Sequence, residues 1–222
     1  MRLAAAICVS LLAGTAHCQL QKPPAVLAHV RFTVENPQLE PVFYSMDVFE
    51  SGMGRYMAHY TMSQEGDTPF QPVDRPIRIH DPLLSRMFDA ARTHHFFAIE
   101  CEAPHSHVAF TGKKTFAYTG SDGKGSCTFN YSRDQSLNQL AADLMSVAFT
   151  LEEGARLTSE HLHDRLSLDG ELEALQSAAQ EHRALELGNI APELESIAND
   201  DAVMNRARMR ARELLLEPAS VR

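Results

Sequence analysis

Apolar and polar side chains alternate with a period of two through much of the first half of the chain. The pattern runs through residues 30–34, 42–48 and 56–62, and the turn sequence Ser51–Gly54 separates the last two runs. Such alternation is typical of strands with one buried and one exposed face. It predicts an antiparallel hairpin at 42–62, with further strand character at 30–34 and at Ile77–Ile79.

A helix is predicted directly after these strands. Asp81 and Pro82 have the form of an N-cap followed by a proline at the first helical position. The apolar residues that follow form one stripe of a helix that ends near His94: Leu83, Leu84, Met87, Phe88 and Ala91. Phe96, Phe97 and Ile99 return to strand character, so the sheet is expected to resume there.

The sequence TGKKTF at residues 111–116 resembles a phosphate-binding loop but lacks two of its requirements. No glycine stands five residues before Gly112, and no hydroxyl residue directly follows Lys113. The chain instead alternates on both sides of the turn sequence Gly120–Gly125, which predicts a β-hairpin. The predicted register pairs Phe116 with Phe129 and Tyr118 with Cys127.

From residue 134 onward the apolar residues recur every three or four positions, which predicts helices. Four helices are expected, starting at Asp134, at Asp169, near Pro192 and at Asp200 or Asp201. The first of them is expected to continue past Gly154 to Leu162.

These elements together predict the α+β class. We expect an antiparallel β-sheet of about five to seven strands with one crossing helix, followed by a C-terminal bundle of about four α-helices. The predicted division is a signal peptide at 1–18, a sheet domain at 19–133 and a helical domain at 134–222. The last two are expected to share an interface, because neither is large enough to bury a generous core alone.

Charge follows the same division. Residues 19–133 contain 12 acidic and 11 basic side chains, whereas residues 134–222 contain 17 acidic and 8 basic ones. The whole chain has a formal net charge of −9. An acidic protein gains nothing from counterion release on DNA or RNA, and anionic membranes repel it. Neither nucleic acid nor an anionic membrane is therefore an expected partner.

The first 18 residues have the form of a secretory signal. Arg2 precedes the apolar run Leu3–Gly14, which is too short to span a bilayer, and Ala16 and Cys18 are small residues suited to a cleavage site. A lipid anchor on Cys18 is the alternative, although His17 replaces the small residue that a lipobox needs. No second apolar run follows, so the sequence predicts a secreted or periplasmic protein with no transmembrane segment in its mature chain.

Cys101 and Cys127 are the two cysteines that remain after the signal. In an oxidising compartment an even pair indicates a disulfide bond. Free thiols and metal-bound thiols are the alternatives, because spacing alone does not show that the two sulfurs meet.

Histidines give the best indication of a metal site. His94, His95, His105 and His107 lie within 14 positions of one another. In an extended segment His105 and His107 would share one face, which is a usable spacing for zinc or copper ligands. The alternative is that His94 and His95 complement the dipole at a helix C-terminus, while the other two line an exposed loop.

Met53, Met57, His59 and Met62 suggest a second metal site, for copper(I). The strand pattern argues against it, because Met62 falls on the face opposite Met57 and His59. Methionines at such positions are expected to fill the core.

No motif assigns a catalytic role. The chain has neither a Gly-x-Ser-x-Gly elbow nor a His-Glu-x-x-His pattern. Four arginines near the C-terminus are spaced two apart, which distributes them around a helix: Arg206, Arg208, Arg210 and Arg212. Salt bridges within the chain are their expected use, and docking of an acidic partner is the alternative.

The motifs AFTGKKTFAYTG, CTFNYS and IAPELESIANDDAVMNRARMRARELL, within about residues 107–216, resemble those of a family of uncharacterised secreted bacterial proteins. That family has no assigned activity, so the resemblance implies a recurring architecture and no catalytic residue. We therefore expect a non-catalytic interaction or structural module that binds an envelope or periplasmic protein through its acidic helical half. A metal-binding envelope protein that uses the His94–His107 region is the alternative, and a hydrolase is the third hypothesis.

Overall fold

The structure is a computed structural model that describes residues 27–61, 73–104 and 108–216. The predicted signal peptide at 1–18, with Cys18, lies outside the described residues, and so do Met62, His105 and His107.

The described residues form a six-stranded antiparallel sheet and five α-helices, which confirms the predicted α+β class. The strands are β1 (His29–Glu35), β2 (Phe43–Phe49), β3 (Met53–His59), β4 (Val73–Arg78), β5 (Lys113–Thr119) and β6 (Lys124–Phe129). The helices are α1 (Leu83–Thr93), α2 (Gln135–His163), α3 (Leu168–Gln180), α4 (Ala191–Asn199) and α5 (Asn205–Leu216). The strand order is β4-β3-β2-β1-β5-β6. Because β4 and β5 lie on opposite sides of β1, β2 and β3, the connection that contains α1 crosses the sheet, as predicted.

One face of the sheet carries the hydrophobic core. Alternate residues of the strands are buried there against α1 and α2, among them Val30, Phe32, Tyr44, Met46, Tyr56, Phe116 and Phe129. The remaining residues of each strand point to the opposite face, as the period of two requires.

The hairpin of β5 and β6 forms where it was predicted, but the predicted register is wrong by two residues. Phe116 pairs with Cys127, and Tyr118 pairs with Gly125. The reason is the shorter turn, which is closed by a hydrogen bond of 2.9 Å from the Gly120 N–H to the Gly123 carbonyl. A shift of two residues leaves every side chain on its predicted face, so the core residues are unchanged.

Phe96 and Phe97 do not form the predicted strand. They lie in a single turn of 3-10 helix in which both residues have positive φ angles. Their rings stack on β5, with centroid distances of 5.0 Å from Phe96 to Tyr118 and 5.1 Å from Phe97 to Phe116. Gly125 leaves room for this turn, because a Cβ there would lie 2.6 Å from the Phe96 carbonyl oxygen. Packing of two successive aromatic rings on the sheet therefore overrides the alternation of a strand.

The long helix α2 belongs to two hydrophobic cores. Asp134 caps it as predicted, by accepting a hydrogen bond of 2.8 Å from the Ser136 N–H, and the helix continues past Gly154. Its first half packs against the sheet and α1 through Leu137, Leu140, Leu144, Val147 and Leu151. Its second half contributes Leu157 to the core that α3, α4 and α5 share. A single helix thus joins the sheet to the helical half of the chain.

The segment before α4 covers part of the outer edge of β4. The side-chain amide of Asn189 pairs with both backbone groups of Arg78, accepting from the N–H at 2.7 Å and donating to the carbonyl at 2.9 Å. Glu186 accepts a hydrogen bond of 2.8 Å from the backbone N–H of His80. Free N–H and C=O groups on an edge strand invite pairing with other chains. These contacts satisfy such groups and fix the helical half to the sheet.

Asp169 is not the predicted cap of α3. The helix starts at Leu168, and Asp169 lies in its first turn, where its buried carboxylate forms ion pairs with Arg206 and Arg210. The other two C-terminal arginines also bind within the chain: Arg208 to Asp201 and Arg212 to the carbonyl of Ala198. These contacts confirm the predicted intramolecular role of the arginine group.

Candidate functional site

The face of the sheet opposite the core combines exposed apolar side chains with a row of charges. We call it the open face and define it by ten residues: His29, Arg31, Phe43, Asp47, Phe49, Met53, Arg55, Met57, His59 and Asp74. They lie on β1, β2, β3 and β4 at the positions that alternate with the buried ones. The sheet packs α1 and α2 against its other face.

A row of alternating charges crosses the middle of the open face. Arg31 on β1 lies opposite Asp47 on β2, with 2.8 Å between Nε and Oδ1, and Asp47 lies opposite Arg55 on β3. Arg55 binds Asp74 on β4 through two hydrogen bonds, of 2.5 and 2.6 Å. This last contact is diagonal, because Pro76 is the residue opposite Arg55 and Asp74 lies two residues further along β4. The bonds from Arg55 hold the pKa of the Asp74 carboxyl below its usual value. The charges of the row are therefore plus, minus, plus and minus from β1 to β4.

Apolar side chains lie at both ends of this row. At one end the rings of His29 and Phe49 are 5.6 Å apart, and Met53 follows Phe49 across the turn from β2 to β3. At the other end the rings of Phe43 and His59 are 5.8 Å apart. Met57 lies near this second pair, opposite Asp74 on β4.

The exposure of these methionines corrects the expectation that they fill the core. Met53 is 48% exposed and Met57 is 37% exposed. The prediction that Met57 and His59 share one face of the strand is confirmed, but periodicity alone does not tell which face of a strand is buried. Tyr56 and Ala58, both fully buried, occupy the core side of β3 instead.

The strand that carries these methionines is anchored from its buried side. Tyr56 and Tyr60 donate hydrogen bonds to the two carboxylate oxygens of Glu152 on α2, the first at 2.5 Å. Burial raises the pKa of both phenols, and the hydrogen bonds to Glu152 add to the shift. The contact joins β3 to α2, so the open face of β3 is presented on a rigid support.

A serine, a histidine and an aspartate meet elsewhere in the molecule, where α2 and α4 contact each other. Nε2 of His161 lies 2.8 Å from an Asp200 oxygen, and Nδ1 lies 3.5 Å from the Ser196 hydroxyl. The second distance is at the outer limit of a hydrogen bond. Ser196 and Asp200 are four residues apart and flank one imidazole, which is an ordinary contact between two helices. We interpret the group as structural.

The predicted disulfide is present, between Cys101 and Cys127 with their Cα atoms 5.7 Å apart. Beside it a cleft of about 220 Å³ lies between residues 99–104 and the start of α2. Pockets for small organic ligands are larger, about 300–1,000 Å³. The cleft is therefore a weaker candidate than the open face.

The predicted metal site is described only in part. Nε2 of His94 lies 3.4 Å from the Ser136 hydroxyl and 3.5 Å from an Asp134 oxygen at the start of α2. His95 lies in the 3-10 turn. Within residues 27–61, 73–104 and 108–216, no group of three or more His, Cys, Asp or Glu side chains has the arrangement of a metal site. Metal binding that involves His105 and His107 stays a prediction.

Comparison with known protein families and with curated proteins finds no match to this chain. Among the described residues, no helix has both the length and the apolar character needed to cross a membrane.

Proposed function

We propose that this chain is an exported, non-catalytic interaction protein that binds a partner protein through the open face of its sheet. The observation that carries the proposal is the composition of that face, where exposed methionines and phenylalanines flank two arginine–aspartate pairs. Aromatic residues, methionine and arginine are the types enriched where proteins contact each other.

The rigidity of the face supports the proposal further. Its side chains stand on paired strands, so a partner does not have to order a flexible loop when it binds, and less conformational entropy is lost. The exposed ion pairs contribute little to folding stability in water. Their charges are thus available to orient a partner and to favour its approach.

The disulfide supports the proposal of export. Disulfide bonds persist in secreted and periplasmic proteins and are rare in reducing compartments. The signal sequence expected at residues 1–18 agrees with this location.

The test is capture of a partner from the exported fraction of the host with tagged protein, wild type and variants in parallel. Met53→Glu and Met57→Glu place a charge on the open face. Leu162→Glu and Leu166→Glu make the same kind of change at exposed leucines of the helical half, which are 69% and 77% exposed. Circular dichroism checks that all four variants are folded.

We expect a reproducible wild-type partner to be lost with the methionine variants and kept with the leucine variants. Loss with the leucine variants alone would move the contact to the acidic helical half. A partner that every variant retains would contradict the proposal for the open face.

A further inference from the structure

The charge row of the open face is complementary to itself. From β1 to β4 it reads Arg31, Asp47, Arg55 and Asp74, so its signs are reversed when it is read from the other end. A twofold axis that runs along the strands between β2 and β3 exchanges β1 with β4 and β2 with β3. When two copies meet face to face about this axis, Asp47 lies opposite Arg55 of the other copy, and Arg31 lies opposite Pro76, two residues along β4 from Asp74.

We infer that the partner bound by the open face is a second copy of this chain, in a dimer with its two sheets face to face. In this dimer Asp47 of one copy faces Arg55 of the other, and Arg31 lies diagonally across from Asp74, whose carboxylate is turned towards Arg55. The inference rests on the proposed function, because it names the partner of the same face.

The apolar ends of the row agree with the same axis. Rotation about an axis along the strands does not exchange the two ends of the face, so each end lies over the same end of the other copy. The end with Phe49 and Met53 then contacts the equivalent end of the other copy, and so does the end with Phe43 and Met57. A twofold axis perpendicular to the strands would instead set Arg31 against Arg31 and Asp47 against Asp47. Like charges in contact are unfavourable, so only the first axis satisfies both features.

The area of contact sets the strength of the dimer. The four strands that overlap have six or seven residues each. At about 4.8 Å between strands and about 3.3 Å per residue they cover roughly 440 Å² in each copy. The total of about 900 Å² is below the 1,200–2,000 Å² that stable complexes bury. We therefore expect a reversible dimer in the micromolar range that is weakened by salt.

Sedimentation equilibrium of the purified full chain between about 1 and 500 µM tests the inference. Wild-type protein is expected to change from monomer to dimer across this range. Arg31→Glu and Asp74→Arg each place like charges diagonally across from each other twice in the dimer. Each is expected to raise the dissociation constant by at least about tenfold.

The double variant Arg31→Glu/Asp74→Arg gives the sharpest result. The new carboxylate at position 31 lies diagonally across from the new guanidinium of the other copy at position 74, so dimerisation is expected to recover. Within one copy the same changes place like charges beside Asp47 and Arg55, so recovery cannot come from intramolecular pairs. Lys124→Glu is the matched charge-reversal control. It lies on β6, outside the four strands that overlap, and is expected to leave the dissociation constant unchanged.

Wild-type protein that stays monomeric to 500 µM would overturn the inference. So would a dimer that Arg31→Glu does not weaken, or single variants that the double variant does not rescue. These results leave the proposed function intact as long as Met53→Glu and Met57→Glu still abolish capture of a different protein.

Discussion

Gly154 lies where α2 passes the segment that precedes α4, and an alanine at this position tests the contact between them. A Cβ on Gly154 would lie 2.4 Å from Cγ2 and 3.1 Å from Cβ of Ile190. Carbon atoms pack best at about 3.5–4.0 Å, so the helix and the isoleucine must separate by about 1 Å. Ile190 is fully buried, and its β-branched side chain has few alternative rotamers. The backbone therefore has to move.

The expected cost follows from two opposing terms. Overpacking of a well-packed core costs about 1–3 kcal/mol, whereas replacing a helical glycine with alanine gains about 0.5–1 kcal/mol. Gly154→Ala is therefore expected to lower the free energy of unfolding by about 1–2 kcal/mol. For a protein of this size that corresponds to a decrease in Tm of roughly 3–6 °C.

Gly170→Ala is the matched control, because Gly170 lies in α3 and an added Cβ meets no atom within 4 Å. It is expected to raise the free energy of unfolding by about 0.5–1 kcal/mol. Urea and thermal unfolding of both variants measure the difference. In a double-mutant cycle Gly154→Ala should cost less when Ile190 is also alanine, because the clash is removed. The reasoning fails if the two glycine variants are equally stable, or if the cycle shows no coupling.

Three further results are expected. Reduction of the disulfide should lower the free energy of unfolding by about 3–4 kcal/mol, because its cysteines are separated by 26 residues; urea unfolding with and without reductant measures this, and equal midpoints would contradict it. Burial raises the pKa of Tyr118 to about 12 and raises those of Tyr44, Tyr56 and Tyr60 as well. The stability that these phenols contribute is therefore complete below about pH 10 and is lost as the pH rises above it. In a Tyr131→Phe variant, which removes the exposed tyrosine from the signal, absorbance at 295 nm should follow alkaline unfolding and not precede it. If the metal hypothesis holds, zinc or copper that co-purifies should disappear with His105→Ala and His107→Ala, as metal analysis of the folded proteins would show; metal retained by both variants would exclude these ligands.

The strands and the long helix could be predicted because burial imposes a period on the sequence. The period of two at Val30 and Phe32 and the spacing of three and four after Asp134 both survive in the structure. The register of β5 and β6 could not be predicted, since a shift of two residues keeps the same faces and only the turn chooses between the registers. Phe96 was misplaced for a related reason, because a ring that stacks on Tyr118 does not need the geometry of a strand.

The open face was harder to recognise than the fold. Met57 and Arg55 alternate with their neighbours as residues of any strand do, and the sequence does not show which face of the strand is buried. The charge row depends on the pairing of residues from four strands, with up to 43 positions between Arg31 and Asp74. Such order becomes visible only when the strand order and the register are known. The contact of Asn189 with β4 was missed likewise, since an asparagine before a helix gives no sign that it pairs with an edge strand.

The sharing of α2 between two cores has a consequence for experiments on parts of the chain. A fragment that ends at residue 133 loses five large side chains from the core of the sheet: Leu137, Leu140, Leu144, Val147 and Leu151. Burial of each contributes about 1.5–3 kcal/mol, so the loss of roughly 8–15 kcal/mol equals the whole stability of a typical domain. We expect residues 19–133 alone to lack near-ultraviolet circular dichroism and a cooperative thermal transition. A cooperative transition in the fragment would show that the sheet has a sufficient core of its own. If the fragment does not fold, as we expect, loss of a partner on truncation would report unfolding and not a lost contact. Only single substitutions on the intact chain can then tell whether the open face or the helical half binds the partner.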